Sequence, residues 1–145
     1  MTGEPSTECR LAAVEFLEAI LEKGCVVLDL AGEIEAEYRR YLNPRGQPGV
    51  GDRFYLAILN SAPGRVERVG IARDERGHYE DFPAVAELAS FDPSDRKFAA
   101  LARREGIPVA NATDTDWLNY RSALAAYGIA THFVCGCDRQ TWFAR

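Results

Sequence analysis

The chain has 145 residues, of which 47% are hydrophobic and 27% charged, and this profile is typical of one folded domain rather than a disordered or fibrous protein. The net charge of -5 argues against a large basic surface for nucleic acid. Short apolar runs and a polar, acidic N-terminus argue against a membrane span and a secretory signal. We therefore expect one cytoplasmic domain over residues 1–145, without a membrane partner.

The first half of the chain predicts three helices and one short strand. An apolar stripe at helical spacing defines the first helix, and Gly24 follows as a stop signal. The next segment is continuously apolar up to Asp29, which predicts a strand buried on both faces. The apolar stripe consists of Leu11, Val14, Leu17, Ile20 and Leu21. The predicted elements are a helix over 8–22, a strand over 25–29, a helix over 31–42, a glycine-rich loop over 45–51, and a helix from Asp52 to about residue 62.

In the second half, strands and helices alternate. The stretch from Asp92 to Asp95 has the form of a helix start, with an acidic cap and a proline in the first turn, and Gly106 ends that helix. The alternation predicts an α/β fold with a largely parallel sheet, in which functional sites lie at the carboxyl ends of strands. The predicted elements are a strand over 66–72, a turn over 74–77, a short helix within 81–90, a helix from 92–95 to 105, a strand over 107–110, a helix over 116–127, and a strand over 130–134.

Acidic residues fall at several predicted strand ends and helix starts. Carboxylate oxygens suit hard cations such as Mg²⁺ or Mn²⁺, and three or four of them are enough to build a nuclease centre. A metal held there would lower the pKa of a bound water and neutralise a phosphodiester under attack. Chance placement of some of the 22 acids at caps and solvated faces is the alternative explanation. The acids in question are Asp29, Glu37, Asp92, Asp95, Asp114 and Asp116.

Three short acidic motifs follow one another along the chain. They are Glu35-Ala-Glu37-Tyr after the strand Val26-Val-Leu28, Asp95-Arg-Lys-Phe-Ala-Ala-Leu-Ala102, and Ile107-Pro-Val-Ala-Asn-Ala-Thr-Asp114-Thr-Asp116-Trp. In order and spacing they resemble the motifs of the PIN-like metal-dependent ribonucleases, over residues 8–134. Asp29, the loop Gly46-Gln-Pro-Gly49 and the stretch Phe91-Asp-Pro-Ser-Asp95 are similar to one subgroup of that family.

The resemblance implies a three-layer α/β/α fold and hydrolysis of RNA phosphodiesters with Mg²⁺ or Mn²⁺ as cofactor. It implies that Glu37, Asp95 and Asp114 are catalytic, metal-facing acids, and that Asp116 is an auxiliary ligand or orients one. The position of Asp29 is often not acidic in the family, so capping of the next helix or holding of the 46–51 loop explains it equally well. Small proteins of this kind are often toxins, which implies an antitoxin protein as a partner beside the RNA substrate.

The start of the chain departs from the family pattern, in which a central strand ends in a catalytic aspartate. Here the first predicted helix begins within about seven residues of Met1, and no apolar run precedes it. A truncated sequence and a degenerate family member are both open explanations. Without a central strand, two neighbouring strands keep unpaired backbone groups, each costing about 1–3 kcal/mol if buried. This predicts low stability, or pairing with a second copy as a homodimer.

The remaining candidate residues have structural explanations. Cys135-Gly-Cys137 fits neither the zinc nor the redox spacing, and it indicates a buried strand end. We expect His78 in solvent, and His132 and Trp117 in the core. Basic side chains beside the predicted acids fit either RNA phosphates or a solvated helix face. They are Arg39, Arg40, Arg45, Arg96, Lys97, Arg103 and Arg104.

Two other functions compete with the ribonuclease. A non-catalytic PIN-like interaction module is supported by the missing first aspartate, and an upstream reading frame encoding that strand would separate the two. An aspartyl phosphatase or phospho-receiver, with Asp29 as nucleophile, fits less well. Ala31 stands where its second aspartate is needed, and no suitable lysine follows downstream.

Overall fold

The computed structural model describes residues 4–60 and 64–137. Within these ranges helices and short parallel strands alternate, which confirms a mixed α/β protein. The elements are α1 (Thr7–Lys23), β1 (Val26–Asp29), α2 (Glu33–Tyr41), α3 (Val50–Asn60), β2 (Val66–Val69), α4 (Arg96–Glu105), β3 (Val109–Asn111), α5 (Thr115–Asn119), α6 (Arg121–Ala126) and β4 (Thr131–Phe133), with 3-10 turns at Ala86–Leu88 and Pro93–Asp95. Among the described helices, none has the length and apolar character needed to cross a membrane.

The strands form two separate parallel pairs, where the sequence predicts one sheet. Strand β1 pairs with β2, with Val26 opposite Val66, and β3 pairs with β4, with Val109 opposite Thr131. In residues 4–60 and 64–137, no strand precedes α1 and no strand joins β1 to β3. Strands β1 and β3 therefore each keep one edge without a described strand partner.

Helix α4 connects the two halves of the molecule. Its Leu101 packs in a first core with Leu28 of β1, and its Ala99 and Ala100 pack in a second core. The neighbouring Phe98 contacts both cores from the same helix. Small alanine side chains let the helix approach the second core closely, and this explains why a segment with four consecutive buried residues carries so many alanines. The first core contains Leu28, Ile34, Ile58 and Leu101, and the second contains Phe82, Leu88, Phe91, Ala99, Ala100, Trp117, Leu124 and Ile129.

The loop before α3 is shaped by two residues. The Asp52 carboxylate accepts hydrogen bonds from the backbone N–H groups of Asn43 (2.7 Å) and Gly49 (2.9 Å), so it holds the two ends of the loop together. Gly46 has a φ of +79°, and a Cβ there would lie 2.7 Å from a Cδ atom of Leu56. Glycine is therefore required at this position for both its backbone conformation and its lack of a side chain.

Helix α1 has the predicted extent, but its apolar stripe is less buried than predicted. Within α1, whose residues are all described, Cys9 is the one buried side chain, and Leu11 of the predicted stripe is 55% exposed. The prediction of a core histidine at position 132 is wrong. His132 lies on the exposed side of β4, where its ring contacts Phe16 of α1 at 5.7 Å between centroids.

The helix predicted over 116–127 is interrupted at Tyr120, which separates α5 from α6. Tyr120 has φ -98° and ψ 6°, outside the helical range, and its ring packs edge-on against Phe91 at 5.4 Å. Trp117 also contacts Phe91 edge-on, at 5.1 Å, and is buried as predicted. The break allows two aromatic rings from consecutive turns to pack against the same phenylalanine.

Candidate metal centre

Acidic side chains from three separate elements converge beside the start of α4. Carboxylate oxygens of Asp92, Asp95 and Asp116 all lie within 4.8 Å of one another. Glu37 of α2 and Asp114 before α5 are close enough to Asp95 to act on its charge. These five residues are called the acidic group. It contains Asp92 and the four acids that the resemblance implies are metal-facing. Of these five, Asp92, Asp95 and Asp116 are the ones placed within 4.8 Å of one another.

The turn before α4 places two members of the acidic group. One carboxylate oxygen of Asp92 accepts hydrogen bonds from both the backbone N–H and the hydroxyl of Ser94, each at 2.9 Å. Pro93 occupies the first position of the turn, where its fixed φ and missing N–H carry no cost. Asp95 then lies directly before α4 with its carboxylate left outside these capping bonds.

Asn111 places the other two aspartates. It is buried at the end of β3, where its side chain bonds to the backbone of Asp114 twice, by donating to the carbonyl at 3.1 Å and accepting from the N–H at 3.3 Å. The Asp114 carboxylate in turn accepts from the N–H of Asp116 at 2.9 Å and so caps α5. Asn111 is a positioning residue that is not among the sequence-predicted site residues, although a polar residue that ends an apolar strand is a recognisable signal.

Lys97 is the cation that faces the acidic group. Its ammonium nitrogen lies 3.3 Å from a carboxylate oxygen of Glu37, and its side chain is only 11% exposed. It offsets the repulsion that the neighbouring acids exert on Asp95. With five carboxylates against this one ammonium, the described residues leave an excess of four negative charges when all are ionised.

Asp95 carries the clearest electrostatic signature. Partial burial, followed by repulsion from Asp114, Asp92 and Glu37, raises the pKa of its carboxyl group to about 7, while Lys97 acts in the opposite direction. Carboxylates crowded in this way oppose one another's ionisation, and a divalent cation relieves that repulsion. The electrostatics therefore fit a cation among these oxygens.

Asp29 lies outside the acidic group. Its side chain is fully buried, and its two oxygens accept hydrogen bonds from the N–H groups of Glu33 (2.8 Å) and Ile34 (2.9 Å). It therefore caps α2, which is one of the two structural explanations considered for it. The loop at 46–51 is held instead by Asp52. A buried carboxylate engaged at both oxygens is also a poor phosphoryl acceptor, which counts against the phospho-receiver hypothesis.

Most basic side chains proposed to contact phosphates are used within the fold. Arg96 donates to the carbonyl oxygens of Ala89 and Phe91, both at 3.0 Å. Arg103 and Arg104 contact the backbone and carboxylate of Asp81, at 3.2 and 3.6 Å. The same holds for Lys97 with Glu37, and for Arg39, which donates to the Tyr55 hydroxyl at 3.3 Å. Arg40 and Arg45 are exposed to solvent.

The side chains of the acidic group are half-buried, except that of Asp114, which is exposed. One cavity, of about 230 Å³, lies between α1, α3 and the β1–β2 pair, and another, of about 640 Å³, lies under the segment 74–96. Neither of these two cavities is lined by Glu37, Asp95 or Asp114. An open acidic surface suits the backbone of a polymer better than a small enclosed ligand.

Comparisons with protein-family models, with curated proteins and with solved structures gave no match to this chain.

Proposed function

We propose that the chain is a divalent-metal-dependent ribonuclease of the PIN-like kind. The observation that carries this proposal is that the carboxylates of Asp92, Asp95 and Asp116 lie within 4.8 Å of one another, although they come from two motifs. Glu37 and Asp114 are close enough to raise the pKa of Asp95. The carboxylates remain mutually repulsive in the fold, since Lys97 balances only part of their charge. A protein without a use for such a group would gain stability by losing one of these charges.

The donor set fits a hard cation. All its members are carboxylate oxygens, and the three within 4.8 Å of one another belong to Asp92, Asp95 and Asp116, which would hold Mg²⁺ or Mn²⁺ with Glu37 and Asp114 beside them. When bound, such an ion supplies a water of lowered pKa and neutralises the phosphodiester.

The chain's own residues then have distinct roles in the proposed reaction. Asp95 would hold the metal with Asp92 and Asp116. Without the metal its carboxyl group has a pKa of about 7 and is partly protonated near neutral pH, so metal binding displaces that proton. Asn111 and Asp114 fix the start of α5, and so they fix the position of Asp116. Lys97 orients Glu37 through their contact of 3.3 Å and places a positive charge beside the acids.

The choice of RNA rests on the resemblance of the three motifs and on the open form of the surface. A surface with this excess of acids repels a polyanion until a cation neutralises it, so we expect substrate binding itself to require the metal. Arg40 lies about one turn after Glu37, near the end of α2, and is exposed. It offers a phosphate contact at the border of the acidic group.

A non-catalytic PIN-like interaction module is the second candidate. Its support is the ammonium of Lys97 at 3.3 Å from Glu37, because part of the negative charge is already balanced by the protein itself. In the described residues no additional acid arrives from a strand between β1 and β3. Such a module would bind a partner, for example an antitoxin-like protein with a basic segment, without cleaving RNA.

The test is cleavage of a labelled single-stranded RNA by the purified chain with Mn²⁺. We expect cleavage by the wild-type chain, and a loss of about 100-fold or more in Asp95→Asn and Asp114→Asn. Asp74→Asn is the matched control, because Asp74 lies in an exposed turn and bonds only within it, to the N–H groups of Arg76 and His78. It should keep wild-type activity. Absence of cleavage by a folded wild-type chain would favour the interaction module.

A further inference from the structure

Three cysteines that are remote in sequence meet at one end of the molecule. Cys9 lies in the first turn of α1, and Cys135 and Cys137 follow β4. The sulfur atoms are separated by 3.0 Å (Cys9–Cys135), 3.2 Å (Cys9–Cys137) and 2.8 Å (Cys135–Cys137). None of the three forms a disulfide bond, and neither does the exposed Cys25. The spacing of Cys135 and Cys137 had indicated no site, because the third member lies 126 residues away from Cys135.

The surroundings of the three sulfurs are apolar. Cys9 and Cys135 are buried, and the side chains packed against them include Ala12, Leu118 and Phe133. Burial, followed by the neighbouring thiols, raises the pKa of the Cys9 thiol to about 12, against the opposing hydrogen bond to Ser6. Reactive redox cysteines are exposed, whereas Cys9 and Cys135 are buried.

The geometry is close to that of a metal–thiolate site. A Zn²⁺ ion bonds to cysteine sulfur at about 2.3 Å, which places tetrahedral sulfur ligands roughly 3.8 Å apart. The three sulfurs need to separate by no more than about 1 Å to admit the ion. Cys137 is half-buried and follows the strand end, so it is the member best able to move.

We propose that Cys9, Cys135 and Cys137 form a binding site for a thiophilic metal ion of the Zn²⁺ class. Three S–H bonds break, three metal–sulfur bonds form, and the three protons pass to solvent, so no oxidant or reductant is involved. Water on the side of Cys137 completes the four-coordinate shell. Sulfur ligands distinguish this site from the all-oxygen acidic group, which prefers hard cations.

The ion has a structural role. Cys9 is the one buried side chain of α1, so the thiol cluster is where that helix is anchored. A metal bound there links the start of α1 to the end of β4 and closes a loop of more than 120 residues. Leu118 of α5 packs against the same cluster, and α5 carries Asp116 of the acidic group. The proposal does not depend on the ribonuclease function.

The test is Zn²⁺ binding by the reduced, metal-free chain, measured in competition with a chromophoric chelator, with Co²⁺ as a spectroscopic probe. We expect one ion per chain and a thiolate-to-Co²⁺ charge-transfer band in the near ultraviolet. Cys25→Ser is the matched control and should bind as the wild type does. Cys137→Ser, at a half-buried position that tolerates the change, should bind more than about 100-fold more weakly.

Two outcomes would overturn the proposal. One is wild-type Zn²⁺ affinity in Cys137→Ser and in Cys9→Ser, with circular dichroism confirming that the variants are folded. The other is a reduced wild-type chain that binds no Zn²⁺ but, in air, loses the mass of two hydrogen atoms through a Cys9–Cys135 bond. In that case the cluster would be a site of disulfide formation.

Discussion

Replacing Asp95 by asparagine removes the charge at the centre of the acidic group while preserving the size of the side chain. The carboxyl group has a pKa of about 7 in the folded chain, whereas an aspartate in an unfolded chain has a pKa of about 3.9. Because the folded value is the higher one, the folded state binds the proton more tightly. The stability that this proton binding contributes is fully present below about pH 4 and is lost as the pH rises through 7.

The size of the effect follows from the same difference. About three pKa units correspond to roughly 4 kcal/mol. Asp95 is partly exposed, so solvent screening reduces this to about 1–2 kcal/mol. Asparagine cannot ionise, and the variant therefore escapes the loss. We expect Asp95→Asn to be more stable than the wild type by about 1–2 kcal/mol near pH 8 without divalent metal, and about equally stable near pH 4.5.

Urea unfolding in EDTA at about pH 4.5 and about pH 8 measures this difference. Addition of Mn²⁺ should then stabilise the wild type at the higher pH and leave the variant almost unchanged. Asp74→Asn is the control, and its effect on stability near pH 8 should have the opposite sign. Hydrogen bonds from the backbone of His78 and Arg76 lower the pKa of Asp74, so its ionised carboxylate stabilises the folded chain. A variant no more stable than the wild type near pH 8, or one whose advantage is the same at both pH values, would refute the reasoning.

Three further substitutions test other parts of the fold and the site. Asp29→Ala removes the buried cap of α2 with its bonds of 2.8 and 2.9 Å, so we expect urea unfolding to show a loss of about 2–4 kcal/mol, and a loss below about 1 kcal/mol would contradict the cap. Lys97→Met removes the ammonium group that competes with a metal ion for Glu37, so calorimetry should show Mn²⁺ binding that is several-fold tighter. Unchanged or weaker binding would exclude this competition. Gly46→Ala should lower the free energy of unfolding by about 1–3 kcal/mol and so lower the melting temperature, because the φ of Gly46 is +79° and the new methyl group lies 2.7 Å from the Leu56 side chain. A melting curve equal to that of the wild type would disprove this constraint.

Local chemistry explains why the helices were predictable. Asp92 and Pro93 predict the start of α4, and the structure confirms both the Asp92 bond to Ser94 and the proline in the first turn. Its end was read from Gly106, which adopts the left-handed conformation with a φ of +66°. Each signal acts within a few residues along the chain. Sequence therefore contains the information directly.

The features that escaped prediction depend on contacts between distant residues. The spacing of Cys135 and Cys137 does not predict their contact with Cys9. The periodicity of the strands likewise does not predict that they form two separate pairs. The exposure of His132 depends on which sheet face the other elements cover, and this is decided by packing. The convergence of acids was predicted only because parallel strands end at a common edge. Asp92 was considered among the acids, but its place beside Asp95 and Asp116 required the fold.

The division of the strands into two pairs also has a consequence for unfolding. The first pair uses residues 26–69 and the second uses residues 109–133, so each is assembled from a contiguous stretch of chain. Helix α4 is the element whose side chains belong to both cores. We expect backbone amides in β1 and β3 to show different opening free energies in hydrogen exchange, and a destabilising substitution in α4 to lower both.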